Sequence, residues 1–397
     1  MISMISIISM PHRKSRLARL ALAAALTTAA LLPRPAAAQH YFAFGDSITE
    51  GVGDTKKLGG YPARLQTLLN QRGQAALVTN AGLPGETTAG GLTRLNRLLA
   101  SAATGDTLLL MEGTNDVNAR ISPETIAFNL EKMAERAATS GVSTVHLTVI
   151  PREPEANFDG TNLDTAVLAG LVRQLAYSNQ RKLADPFEIF LHETPDVFNQ
   201  DYLGGDDKLH PNSKGYDRLA RVVADALTGV DAVPPVTGDI EPPDGALNVP
   251  ATAPIRIVLY DFGTGIDLPN TKLLINGVEI AVPLASSDDR STTINYQPPS
   301  PLAGVVTVSV RSRDKATPVN VLDRPVSQFL IAGTTFLPAD LNRDGRVDGQ
   351  DLVALALAFG AHRYNTNYNL AADFNGDGIV DGKDLAVLAA SFGQSTF

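Results

Sequence analysis

The chain has 397 residues, 44% of them hydrophobic and 19% charged, enough to bury two or three cores and too apolar for wholesale disorder. It has no cysteine, which excludes a disulfide scaffold, a thiol nucleophile and any cysteine-ligated zinc or iron–sulfur centre; the lack of tryptophan weakens a sugar-stacking module built on exposed indoles. A net charge of −9 repels phosphate backbones and anionic headgroups and argues against nucleic acid as a partner. In chain order, residues 1–38 read first as an export signal. Arg13, Lys14, Arg16 and Arg19 precede an apolar stretch from Leu20 to Leu32, and Ala36-Ala37-Ala38 suits cleavage before Gln39. The apolar stretch falls short of the ~20 residues that a spanning helix needs, so the mature chain is expected without a transmembrane segment. An uncleaved anchor is the alternative, as is translation from Met4 or Met10. Removing the segment takes away basic side chains only and leaves a more acidic, secreted protein.

Residues 39–230 alternate short apolar runs with helical patterns. Tyr41–Phe44, Leu108–Met111 and Val145–Ile150 have the length and continuity of strands buried on both faces of a parallel sheet. Tyr61–Arg72 and Pro123–Ala138 read as helices between them. Tyr216, Leu219, Ala220, Val223, Ala226 and Leu227 fall on one helical face, with Asp217 and Arg221 paired on the other. This alternation predicts a three-layer α/β sandwich. Residues 231–246, with Pro234, Pro235, Pro242 and Pro243, read as a linker. Over 247–334 the period changes to two: Ile255, Ile257 and Leu259 alternate, as do Val306, Val308 and Val310. Asn276-Gly277 marks a hairpin. A small β-sandwich follows from that pattern, and Pro242 to Asp267 resembles bacterial immunoglobulin-like spacer domains.

Residues 338–397 contain a repeat. Asp340-Leu341-Asn342-Arg343-Asp344-Gly345 recurs as Asp373-Phe374-Asn375-Gly376-Asp377-Gly378, and the same 33-residue offset maps Leu352 onto Leu385 and Phe359 onto Phe392. Each loop follows D-x-N-x-D-G-x-x-D-x-x-D, the oxygen-ligand spacing of an EF-hand calcium loop. The first set is Asp340, Asn342, Asp344, the Arg346 carbonyl, Asp348 and Asp351. The second is Asp373, Asn375, Asp377, the Ile379 carbonyl, Asp381 and Asp384. Two structural calcium ions are expected. All eight aspartates of the region sit at ligand positions, which a solvated acidic face would not explain. With aspartate last and each loop followed by an apolar helix ending in Phe-Gly, the region resembles dockerin modules. That resemblance implies a cohesin-type scaffold partner and attachment to a scaffold or cell surface. Loop positions 10 and 11, Gly349-Gln350 and Gly382-Lys383, lack a Ser/Thr pair, which leaves the particular cohesin open and keeps a plainly structural calcium domain as the alternative.

Four blocks carry the chemistry. Gly45-Asp46-Ser47-Ile48-Thr49 follows the first strand, Asn80-Ala81-Gly82 the second, and Gly113-Thr114-Asn115-Asp116 the third. Asp207-Lys208-Leu209-His210-Pro211 precedes the last helix. In this order, with Gly60-Tyr61-Pro62 and Gly215-Tyr216, they resemble the SGNH, or GDSL, family of serine hydrolases over about residues 40–230. The resemblance implies Ser47 as nucleophile, His210 as base, and Asp207 orienting the imidazole. It implies an oxyanion hole of the Ser47 and Gly82 N–H groups and the Asn115 side-chain amide, with no cofactor in catalysis. Elimination among the six histidines favours His210: His12 lies in the signal, His40 at the mature terminus, His362 in the repeat, and His146 in a core strand, while His192 has no motif beside it. Asp206 is the rival to Asp207. The fold class is therefore multidomain: an α/β three-layer sandwich with a parallel sheet, a small β-sandwich, and a small all-α module of paired EF-hand-like loops. The implied activity is ester hydrolysis on an acylated carbohydrate or a small acyl ester. Lysophospholipase, arylesterase or thioesterase activity is one alternative, and a non-catalytic surface binding or adhesion protein another.

Overall fold

The computed structural model describes residues 38–152, 161–193, 202–203, 209–281, 284–332, 337, 339–342, 345–361 and 367–395. Residues 1–37, Asp206, Asp207, Asp344 and His362 lie outside the described residues, and so do the expectations resting on them. No described helix is long and apolar enough to cross a membrane.

The first half is organised by short strands with apolar centres, Tyr41–Phe44 and Leu108–Met111 among them. β1 (Gln39–Gly45), β2 (Ala76–Gly82), β3 (Thr107–Met111), β4 (Ser143–Leu147) and β5 (Lys182–Ala184) form a parallel sheet in the order β2-β1-β3-β4-β5. Every residue of β3 is buried, as a strand covered by helices on both faces requires. Each leucine of Leu108–Leu110 removed from water in this way contributes roughly 2–3 kcal/mol. The run expected over Val145–Ile150 stops pairing at Leu147, beyond which Thr148 instead donates its hydroxyl to Asp185 (2.8 Å).

The intervening segments are α1 (Ser47–Glu50), α2 (Gly60–Gln71), α3 (Thr88–Leu99), α4 (Thr114–Asn118), α5 (Pro123–Thr139), α6 (Thr161–Ser178), α7 (Pro186–Glu193) and α8 (Ser213–Thr228). Their ends carry readable signals. Ser122 caps α5 through the Thr125 N–H, with Pro123 in the first turn. Asn212 caps α8 through the Gly215 N–H, and Gly229 closes it at φ +74°. α2 packs with α8, while α3, α5 and α6 pack in a row; these are the two helical layers of the expected three-layer sandwich.

Beyond α8 the linker reading over 231–246 needs correction. That stretch contains β6 (Val236–Glu241), an antiparallel partner of β7 (Ile255–Tyr260), with a register shift between Thr237 and Ile240. The prolines flank the strand, so they do not deplete its ladder, and the irregular register hides the alternation. β8 (Lys272–Ile275), β9 (Val278–Ile280), β10 (Leu284–Asp288), β11 (Ser291–Tyr296), β12 (Val305–Arg313) and β13 (Val321–Leu330) complete two four-stranded sheets, β10-β11-β7-β6 and β13-β12-β8-β9. Their inward residues, among them Ile257, Leu273, Val308 and Phe329, make one core. The last module packs α9 (Gly349–Ala358) and α10 (Gly382–Ser391) around Val347, Leu355, Val380 and Leu388. In each helix an aspartate at the N-cap and another three residues on form a reciprocal capping box, Asp348 with Asp351 and Asp381 with Asp384.

A buried ionic cluster joins the first two cores. Arg173 donates to Asp185 (2.7 Å), to Glu188 (3.1 Å) and to the Thr237 carbonyl (2.8 Å). From β13, Arg324 reaches the same Glu188 at 2.9 Å. Removing one partner of such a set leaves buried charge uncompensated. Glu188→Ala is accordingly expected to destabilise the protein by about 3–5 kcal/mol in denaturant unfolding; a loss within the range of a surface substitution would show that the cluster does not join the domains.

Candidate active site

The parallel register brings three of the four sequence blocks to one edge. Gly45 at the end of β1 lies opposite Gly82 on one side and Met111 on the other, so the segments after β1, β2 and β3 leave the sheet side by side. Chain order reverses about β1, whose neighbours are β2 and β3, and open α/β sheets bind ligands in the crevice at such a point. Gly45 is required there: a Cβ would lie 2.2 Å from the Met111 carbonyl oxygen and from Thr49 Oγ1.

Ser47 is the first residue of α1. Asp46 caps that helix by accepting the Ile48 N–H at 2.9 Å, and a first-turn N–H such as that of Ser47 has no partner within its own helix. The Ser47 hydroxyl meets His210 Nε2 at 2.7 Å across 163 residues of sequence. His210 stands just before α8, and the loop after α1 holds it there. A Cβ on Gly53 (φ +85°) would lie 2.9 Å from His210 Cβ and 2.8 Å from the Pro211 carbonyl oxygen. Ser213 donates its hydroxyl to Asp54 at 2.8 Å, and the Arg64 guanidinium closes on Asp54 (2.7 Å) and Asp217 (2.6 Å). Tyr216 donates to the Val52 carbonyl at 2.6 Å. Burial alone would raise the Asp54 pKa; the hydrogen bonds from Arg64 and Ser213 outweigh it and hold the carboxyl below the usual range. His146 is in the core as expected, its pKa lowered to about 3, first by burial and then by the charge of Arg181.

The geometry departs from the sequence reading at Gly82. Gly82 donates its N–H to Asn80 Oδ1 at 2.9 Å, and its α-carbon is pressed against α1, where a Cβ would lie 2.2 Å from the Glu50 nitrogen. Gly82 is thus a packing glycine whose donor is engaged. Gly85 lies three residues on, at φ +77° in the turn Leu83-Pro84-Gly85-Glu86, closed by the Glu86 N–H on the Leu83 carbonyl at 3.2 Å. This is the type II arrangement, which leaves the third residue's N–H outside the turn's own hydrogen bond. No atom would contact a Gly85 Cβ within 4 Å. Asn115 fixes the same turn by donating one amide hydrogen to the Glu86 carbonyl at 2.8 Å, leaving its second hydrogen for another acceptor. The Pro84-Gly85 pair was the available sequence signal for this position.

The turn is held from behind by Arg94. Its guanidinium pairs with Glu86, donates to the Ala81 carbonyl at 2.8 Å, and lies 3.9 Å from the Phe44 ring centroid. Glu112 is buried nearby, 3.7 Å from Arg94; burial and the neighbouring Glu86 carboxylate raise its pKa well above the ordinary range. Asp116 accepts both the N–H (2.9 Å) and the hydroxyl (2.5 Å) of Thr88, anchoring the start of α3.

In the C-terminal loops, Asp340 Oδ2 accepts the Gly345 N–H at 2.9 Å, and Asp340 Oδ1 is buried without a hydrogen-bond partner among the described residues. Asp351 gathers the Leu341, Asn342 and Asp348 N–H groups, and Asp384 those of Phe374, Asn375 and Asp381. Asp373 accepts the Gly378 N–H at 2.8 Å and the Tyr368 hydroxyl at 2.6 Å. An all-oxygen donor set with an orphaned buried carboxylate oxygen fits a hard divalent cation.

Comparison with known proteins finds a match for each of the two regions that hold these residues. Residues 43–218 match the GDSL-like Lipase/Acylhydrolase family, and residues 338–392 match the Dockerin type I domain. The chain carries a GDSL-like lipase/acylhydrolase domain, with the SGNH hydrolase fold, and a dockerin type I domain, a calcium-binding class. Esterase TesA from Pseudomonas aeruginosa is 38% identical over 121 residues, 30% of this chain and 58% of that protein. An arylesterase from Vibrio mimicus is 29% identical over 192 residues, 48% of this chain and 89% of that protein. A crystal structure of TesA shares 28% identity with a TM-score of 0.41, covering 48% of this chain and 99% of that one. The chain thus spans rather more than half the length of the first of these relatives.

Two expectations follow from the geometry. Gly53→Ala pushes the segment bearing His210 away from Ser47, and misplacement on the scale of 1 Å costs on the order of 100-fold in turnover. Aryl ester turnover should fall accordingly while the circular dichroism spectrum is kept; wild-type turnover would mean that this loop does not set the imidazole. The second concerns Asp46, whose carboxyl burial pushes up to about 6 against the opposing Ile48 N–H. The folded protein therefore holds this proton more tightly than the unfolded chain. Its stabilisation is full below about pH 4 and is lost as pH rises through about 6. Asp46→Asn lacks this titration, so its stability relative to wild type should rise by about 3 kcal/mol between pH 4 and 7. A pH-independent difference in urea unfolding would contradict the shift.

Proposed function

We propose that this chain is a secreted carboxylic-ester hydrolase with Ser47 as nucleophile and His210 as general base. The carrying observation is the 2.7 Å contact between Ser47 Oγ and His210 Nε2 at the carboxyl edge of the parallel sheet. Ser47 Oγ attacks the ester carbonyl carbon as its proton passes to Nε2. The carbonyl oxygen gains negative charge and takes hydrogen bonds from the Ser47 N–H, the Gly85 N–H and the second Asn115 amide hydrogen. The imidazolium then returns the proton to the departing alkoxide. A water molecule, deprotonated by the same ring, releases the acid from Ser47. Asp207 is the proposed partner of the other imidazole nitrogen.

For the substrate we favour an acylated carbohydrate, because a dockerin domain on a hydrolase suits extracellular polysaccharide. The names of the relatives, an arylesterase and an esterase, support small aryl or acyl esters as the second reading. The C-terminal loops would hold one calcium ion each. The first set is Asp340, Asn342, Asp344, the Arg346 carbonyl, Asp348 and Asp351, and the second is Asp373, Asn375, Asp377, the Ile379 carbonyl, Asp381 and Asp384. Calcium there supplies the charge that lets these carboxylates gather, and so contributes folding energy to the module. A cohesin-type scaffold is the proposed partner. α9 leaves Val353 and Leu357 exposed, α10 exposes Leu385 and Val387, and the repeat-related Phe359 and Phe392 are half uncovered. Such a contact would place the enzyme outside the cell, at a scaffold or cell surface.

Ser47→Ala is the test. The variant should fold, lose ester hydrolysis and lose labelling by a fluorophosphonate, which the Ser47 hydroxyl would otherwise accept. Retained turnover or labelling would remove the mechanism. Comparing acetylated oligosaccharides with p-nitrophenyl esters on the wild-type chain separates the two substrate readings.

A further inference from the structure

Away from the hydrolase site, three aspartates from distant parts of the chain converge where the segment after α8 meets the β-sandwich. Asp231 follows α8, Asp261 follows β7 and Asp314 follows β12, and a carboxylate oxygen of each lies within 4.8 Å of the others. Asp261 and Asp314 are almost wholly buried, at 2% and 1% exposure. Nearby cations are committed elsewhere. Lys315 pairs with Asp289 (3.1 Å), Arg313 pairs with Asp267 (2.7 Å), and Arg290 lies over the Tyr177 and Phe262 rings.

Backbone donors satisfy most of the cluster. The Gly263 and Gly265 N–H groups donate to Asp261 Oδ1 at 2.9 and 2.8 Å, and Thr264 N–H donates to Asp231 Oδ2 at 2.7 Å. Asp314 accepts the Ala316 and Asn320 N–H groups at 3.1 and 2.9 Å and the Asn320 side-chain amide at 2.5 Å. What remains is Asp261 Oδ2, buried beside two other carboxylates with no hydrogen-bond partner among the described residues. A buried anionic oxygen facing like charges requires a proton or a cation. Gly263 makes the approach feasible: a Cβ there would lie 2.1 Å from Asp231 Cγ.

We propose that Asp231, Asp261 and Asp314 bind a calcium ion that clips the chain leaving the hydrolase domain onto the β-sandwich. Carboxylate oxygens are hard donors, and a spread of 4.8 Å is one that a shell of calcium–oxygen bonds about 2.3–2.6 Å long spans. Water can complete the shell from the adjoining cavity of about 420 Å³, which Asp231, Gly263 and Thr264 line together with residues of β5 and α8. The site lies outside both calcium loops of the C-terminal module and owes nothing to the ester-hydrolysis reading.

The test uses the full chain with both C-terminal loops disabled by Asp340→Ala and Asp373→Ala, dialysed against calcium at pH 7.5, with bound metal measured by elemental analysis. One calcium per chain is expected to remain. It should disappear when Asp261→Asn, or separately Asp314→Asn, is added in a chain that keeps its circular dichroism spectrum. Calcium should also slow proteolysis between Gly229 and Val236 at least tenfold in the loop-disabled chain. A loop-disabled chain that holds no calcium and shows no protection, or one whose calcium survives both added substitutions, overturns the proposal. If the calcium content of the natural chain were unchanged by Asp340→Ala and Asp373→Ala, the C-terminal loop assignment would fail instead.

Discussion

A single hydrogen bond, Ser47 Oγ to His210 Nε2, sets what the rest of the hydrolase domain must achieve. Its two residues belong to opposite ends of the domain, and neither is placed by its own segment alone. Ser47 is placed by the parallel sheet, because Gly45 admits no side chain and the chain must turn directly into a capped helix. His210 is placed by α8, whose first turn is tied to the loop after α1 through Asp54, Ser213 and Arg64. Asp54 and Arg64 of that cluster are buried, so drawing α8 away from this loop would strip the Asp54 carboxylate of the Ser213 hydroxyl.

The same logic of distant segments fixed by buried charge recurs along the chain. Glu188 answers Arg173 from its own domain and Arg324 from the β-sandwich. In turn, Gln328 of β13 donates to the Tyr368 carbonyl at 3.1 Å and accepts the Leu370 N–H at 2.8 Å. Tyr368 carries the contact into the second C-terminal loop through Asp373. The middle domain is therefore bonded to both of its neighbours, and the aspartate cluster at its edge lies where the first of those joints begins.

Much of this was legible in sequence wherever local chemistry determines the outcome. Apolar runs such as Leu108–Met111 are strands because nothing in them tolerates water, and three of the four motif blocks stand at strand ends because a parallel sheet puts its crevice there. The repeated C-terminal loops declare themselves by periodic aspartate. The misreadings arose where tertiary context decides. Gly82 and Gly85 look alike as letters; only the register against β1 shows that the first is needed to let α1 pass, while the second sits at positive φ in a turn. β6 was concealed by flanking prolines and a shifted register. Asp231, Asp261 and Asp314 could not be grouped at all, since β-sandwich topology alone brings them together.

The central claim, that Ser47, His210, Gly85 and Asn115 face one carbonyl carbon, is tested most directly by a crystal structure of the chain after reaction with an aryl phosphonate ester. The account predicts phosphorus bonded to Ser47 Oγ, with the phosphoryl oxygen within hydrogen-bond distance of the Ser47 and Gly85 nitrogens and of Asn115 Nδ2. An adduct on another residue, or a phosphoryl oxygen turned away from Gly85 and Asn115, would contradict it.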